Sequence, residues 1–184
     1  MLKSCSELAA QLSASKQFKE WKKEHPQAYL SHFFTSVSSQ FELLANWELG
    51  YYDFKQEKMT VFVLDSEQIV VKPADDVFKP KQEIVEELNL KQIKTNFSQV
   101  VESVQENIAE KFSSEHLGDG FLVVQTQDSK TAWNFSFVTK SLIFLNCKID
   151  AATGEILSSE AVTIVHREDK PKIKVKNFKI KTVK

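Results

Sequence analysis

Residues 26–45 read PQAYLSHFFTSVSSQFELLA, and the period assigned to this stretch decides the fold. Leu30, Phe33, Phe34, Val37, Phe41, Leu44 and Ala45 recur at three- and four-residue intervals, the spacing of one face of an α-helix. Pro26 suits the first turn of a helix, where the missing N–H would have no partner anyway. It also ends whatever precedes it, because the residue before a proline is pushed out of the helical region. On this reading one helix covers residues 26–45. An earlier helix, capped by Ser4 or Ser6 with Leu8, Leu12, Phe18 and Trp21 on one side, stops at His25.

Beyond residue 45 the period shortens. Residues 47–54 and 59–64 are rich in aromatic and β-branched side chains and flank the polar Lys55-Gln56-Glu57-Lys58, which predicts a hairpin. A turn at Asp65-Ser66-Glu67 leads to a short strand over 68–72. Residues 73–90 form a charged connector with prolines at 73 and 80, and its acidic residues read as solvated surface. A second clear helical stripe follows: Phe97, Val100, Val101, Val104, Ile108 and Phe112. Strands are expected over 121–126, 132–138, 142–149 and 155–165.

The two stripes share their offsets, since positions +3, +4, +7 and +11 are apolar from both Leu30 and Phe97. Each is followed by a tryptophan (Trp47, Trp133), a hairpin and an aspartate at a turn (Asp65, Asp150). The expected fold is therefore α+β, with antiparallel sheets each covered by a long helix in tandem helix-plus-hairpin units. The divisions are an N-terminal helix over 1–25, a first half over 26–90, a second half over 91–166 and a basic strand or tail over 167–184. The alternative is one curved sheet with a helix-lined cavity.

The segment Ala132-Trp133-Asn134-Phe135-Ser136-Phe137, together with Lys148-Ile149-Asp150-Ala151-Ala152-Thr153-Gly154-Glu155-Ile156-Leu157, resembles the PepSY family. That family has a strand opened by tryptophan, a hairpin and a turn of the Asp-x-x-Thr-Gly kind. The resemblance covers residues 93–160; residues 26–72 share only its layout. It implies a PepSY-like α+β unit and a role in binding or inhibiting peptidases. The residues themselves explain a turn: Asp150 and Thr153 can bond its backbone, and Gly154 can take positive φ.

Composition narrows the function classes. Hydrophobic residues make up 42% and charged residues 27%, which fits a packed core rather than a disordered chain. The formal net charge of −1 gives the whole chain no attraction to nucleic acid or anionic lipid. No run approaches the roughly 20 apolar residues of a membrane span. The N-terminus lacks the continuous apolar region of a secretory signal. Cys5 and Cys147 read as free thiols, and a cytoplasmic location is expected. His25, His32, His116 and His166 show no metal-ligand spacing, and there is no nucleophile elbow, phosphate loop or dinucleotide fingerprint. No cofactor is expected. Asp65 and Asp150 could pair as an acid/base couple only if a pseudo-twofold brought the two turns together.

Two features invite binding. Tyr51 and Tyr52 alternate in a strand, so one should face outward. Lys172, Lys174 and Lys176 alternate with Ile173 and Val175 in the tail, giving either a lysine-guarded edge strand or a contact for an acidic partner. The sequence thus reads as a non-catalytic binding or scaffolding module for a protein or peptide, with an edge strand open to a second copy. The runners-up are a hydrolase-type enzyme and a small-ligand protein with a cavity between helix and sheet.

Overall fold

A computed structural model describes residues 3–65, 68–76 and 84–163. Two short helices, α1 (Cys5–Ala14) and α2 (Lys16–Glu24), precede four strands: β1 (Tyr29–Val37), β2 (Glu48–Asp53), β3 (Lys58–Leu64) and β4 (Ile69–Asp76). Helix α3 (Phe97–Lys111) then leads into β5 (Leu117–Gln127), β6 (Lys130–Thr139), β7 (Ile143–Asp150) and β8 (Ile156–Thr163). All eight strands belong to one antiparallel sheet of order β4-β3-β2-β1-β5-β6-β7-β8.

This corrects the expected tandem of separate helix-covered sheets. The decisive stretch is strand β1 and its following loop, not a helix. Its register shifts between Leu30 and His32, so an extra residue separates Leu30 from Phe33. Leu30, Phe33, Thr35 and Val37 are all buried, and the bulge turns a two-residue period into a three-residue step that imitates a helix. Phe34 and Ser36 point the opposite way. Phe41 lies in the loop, buried but at φ 64°, and Leu44 at the end of the supposed stripe is exposed.

The helices are set by their caps. Ser4 and Glu7 form a reciprocal capping box on α1. Ser15 closes α1 and caps α2 through Phe18 N–H, so the expected single N-terminal helix is two. Asn96 and Gln99 repeat the capping box on α3. All three helices pack on the same sheet face. Phe18 of α2 meets Tyr51 and Phe62 at 4.8 and 5.3 Å between ring centres, and Phe97 of α3 meets Phe135 at 6.3 Å. The space between helices and sheet is filled by Phe33, Leu49, Phe62, Leu122, Phe135, Phe137 and Leu145, each fully buried.

The expected solvated connector is also laced down where it is described. Leu88 N–H donates to the Leu30 carbonyl and Tyr29 Oη to the Val85 carbonyl. The Glu86 carboxylate accepts from Asp128 and Ser129 N–H, capping the β5–β6 turn whose two residues both have positive φ. The β7–β8 turn has the chemistry read from its sequence: Asp150 Oδ1 accepts from Ala152 and Thr153 N–H at 2.7 and 3.0 Å, and Gly154 sits at φ 80°. The Ala151 carbonyl in turn accepts from Lys94 N–H, Thr95 N–H and Thr95 Oγ1, and Trp133 Nε1 donates to Thr95 Oγ1 at 3.0 Å. Trp133 therefore anchors the start of α3 to the β7–β8 turn.

Trp133→Ala should cost about 3–5 kcal/mol, because a large buried side chain is lost. Trp133→Phe keeps much of the ring but loses the indole donor, and should cost about 1 kcal/mol beyond the volume change. Urea denaturation of the three proteins measures both differences. An unchanged midpoint for Trp133→Ala would contradict the packing described.

Candidate binding face of the sheet

With the helices on one face, side chains of the opposite parity line the other. Registers place His32, Phe34 and Ser36 of β1 beside Gln125, Val123 and Phe121 of β5, then Asn134, Ser136 and Val138 of β6 and Phe144, Asn146 and Lys148 of β7. Three phenylalanines make a row across four adjacent strands. Phe34 stacks on Phe121 at 5.8 Å and 26°, and Phe121 meets Phe144 at 6.2 Å. Below them Ser136 Oγ, almost wholly buried, donates to Asn146 Oδ1 at 2.5 Å.

Beside this row lies an open groove of about 390 Å³ lined by Phe34, Ser36, Leu44, Asp119, Gly120, Phe121, Ser136 and Val138. Leu44 and Val138 form its exposed rim at 53% and 38% accessibility. The groove thus offers an aromatic wall, aliphatic edges, the Ser36 hydroxyl and the Asp119 carboxylate. It can hold an apolar side chain and hydrogen-bond a polar group beside it. It lies on the far side of the sheet from the expected cavity between helix and sheet.

A second polar group lies toward β2. His32 Nδ1 is 2.8 Å from Ser31 Oγ, and its ring occupies the space over Gly50, where any side chain would overlap it. Burial pushes the His32 pKa down, against the opposing pull of the Glu48 carboxylate. Glu48 is itself held by Lys72 Nζ at 2.7 Å.

The sequence-predicted residues fall elsewhere. Neither tyrosine is an exposed ligand: Tyr51 is buried among Phe18, Trp21 and Phe62, which pushes its pKa up to about 12, and Tyr52 is buried against Tyr29. Trp47 is buried against Phe33. Asp65 and Asp150 lie at the ends of β3 and β7, five strand spacings apart, which is on the order of 24 Å along the sheet, so no acid/base pair forms. Lys172, Lys174 and Lys176 lie outside the described residues. Cys5 and Cys147 are free and buried, and burial raises both thiol pKa values, Cys5 to about 12. No group of three metal-ligating side chains occurs among the described residues. No described helix is long and apolar enough to cross a membrane.

The outward phenylalanines were readable only through strand parity. Phe121, Val123 and Gln125 alternate with Leu122 and Val124, which gave that signal in β5; the helical reading of residues 26–45 hid it in β1.

At the edge of the helix-covered side, Asp53 gathers the end of α2 onto the β2–β3 turn. Its Oδ2 lies 3.1 Å from His25 Nδ1 and accepts from Gln27 Nε2 at 2.5 Å, while Oδ1 accepts from Lys55 and Gln56 N–H. Trp21 stacks on His25 at 4.7 Å. Burial opposes the charged form, but these four hydrogen bonds outweigh it and bring the Asp53 pKa down to about 2. The folded value lies below an unfolded value of about 3.9, so the stabilisation is complete above that pH and is lost as pH falls toward about 2. Asp53→Ala should therefore cost about 1–3 kcal/mol near neutrality, with the gap from wild type closing between about pH 4 and pH 2. Urea melts across that range check it, and a gap independent of pH would refute the ionised role.

No protein-family description and no curated protein matches the chain. Among solved structures, a candidate lipoprotein of Clostridium difficile 630 aligns over 79% of this chain and 90% of its own, with a TM-score of 0.46 and 14% identity.

Proposed function

We propose that the protein is a non-catalytic binding module whose ligand is a polypeptide, taken up on the helix-free face of the sheet. The observation that carries this reading is the row Phe34–Phe121–Phe144 beside an open groove, on a face that the described helices leave uncovered. Aromatic side chains in contact with solvent are a common anchor for partner side chains. The flanking Ser36 and Asp119 supply polar partners of the kind that fix orientation. The resemblance of residues 93–160 to PepSY domains, which bind or inhibit peptidases in several cases, points to the same ligand class. The groove is open and shallow, which suits one or two side chains of a larger partner better than an enclosed small molecule.

The test is selection from a displayed library of random peptides against the full chain. Selected peptides should share an aromatic or large aliphatic residue. They should lose at least about tenfold in affinity when the rim is changed by Leu44→Glu with Val138→Glu. Both rim residues are exposed, so the variant should keep its melting behaviour. Peptides that bind wild type and variant equally would place the ligand site elsewhere.

A further inference from the structure

Strand β5 is irregular where it meets the groove. Leu117 pairs with Thr139 and Gly120 with Phe137, so Gly118 and Asp119 together oppose the single residue Val138. This two-against-one step is a β-bulge, which re-aims the side chains around it. Unbroken alternation would put Leu117 on the same face as Phe121, yet Leu117 packs against the core. Asp119 stays on the helix-free face, where it lines the groove with Phe121 and Val138. Glycine is needed on both sides of it. A Cβ at Gly118 would lie 2.6 Å from the Val138 carbonyl oxygen, and one at Gly120 would overlap the Ser136 carbonyl oxygen. The sequence Gly118-Asp119-Gly120 thus holds a single carboxylate at the groove. Asp119 is exposed and makes no hydrogen bond or ion pair among the described residues. No basic side chain lines the groove.

We infer that the groove recognises an arginine of its polypeptide ligand, with the guanidinium set between the Asp119 carboxylate and the Phe34–Phe121 rings. This inference rests on the proposed uptake of a polypeptide on this face and adds the chemistry of the side chain next to the apolar anchor. Charge complementarity selects a cation, because the one charge in the lining is a carboxylate with no partner of its own. The rings select arginine over lysine. Asp119 and Phe121 are two residues apart on one strand, roughly 7 Å, so one planar cation can meet the carboxylate with its N–H groups and the ring with its face. Phe34, stacked on Phe121 at 26°, extends that ring surface. A guanidinium stacks on aromatic faces, is weakly hydrated and offers paired donors to a carboxylate, whereas an ammonium is compact and strongly hydrated. The methylenes of the arginine can lie along Val138, which opposes Asp119 across the bulge.

The test uses the full chain and peptides selected on it from the random library. They should carry an arginine within two positions of their apolar residue. Asp119→Asn should weaken them by about fivefold or more, and replacing the peptide's arginine by lysine should weaken binding to wild type by about threefold. Asp119→Lys should reverse the preference, so that a peptide with glutamate in place of arginine binds this variant better than the parent peptide does. Leu44→Asn with Val138→Thr removes the apolar rim without adding charge and reads the anchor separately. Circular dichroism melts confirm that each variant folds. Peptides weakened by the neutral rim variant but bound alike by wild type, Asp119→Asn and Asp119→Lys would overturn this inference and leave the proposed ligand site in place. Peptides indifferent to the rim and to Asp119 would overturn both.

Discussion

The antiparallel seam between β1 and β5 holds the architecture together. Residues 32–37 pair with residues 120–125, about ninety positions away in sequence, and this pairing alone joins the meander β1–β4 to the meander β5–β8. It removes one exposed edge from each. It also runs a single core through both, because Phe33, Thr35 and Val37 on one strand and Leu122 and Val124 on the other face the same helices. A contact of such long sequence separation must be closed against chain entropy before it returns any burial energy. The neighbouring hairpins β2–β3 and β5–β6 are local and cost much less to form, so the seam is where folding of the whole depends on parts that form independently.

That seam explains the division of labour between the two faces. Alternation is regular over the paired residues 32–37 and 120–125, so each inward phenylalanine or leucine there has an outward neighbour. The three short helices cover the inward set. Their caps, Ser4 with Glu7, Ser15, and Asn96 with Gln99, fix where each begins, and Asp53, Trp133 and the Ala151 carbonyl fix how their ends meet the sheet. The outward set near the seam, Phe34, Ser36 and Phe121, is what remains for a ligand. Binding capacity is thus a consequence of covering one face of an eight-stranded sheet with three helices.

Much of the second half was legible in sequence. The stripe from Phe97 to Ile108, the strands after it and the Asp150–Gly154 turn all carry local signals: helical period with a capping box, two-residue alternation, and an aspartate followed four residues later by a glycine at positive φ. In the first half the hairpin of β2 and β3 was legible for the same reasons. The failure lay at one residue. The bulge near Ser31 is set by the pairing of Leu30 with Tyr51 and His32 with Gly50, a tertiary fact with no local mark, and it gave a strand the spacing of a helix. The tandem architecture depended on that reading, whereas the expectation that Tyr51 or Tyr52 faces outward came from strand alternation and fails because both rings are buried. The β-branched and aromatic content of residues 33–37 is the competing signal, and it outweighs the seven-position stripe of residues 30–45.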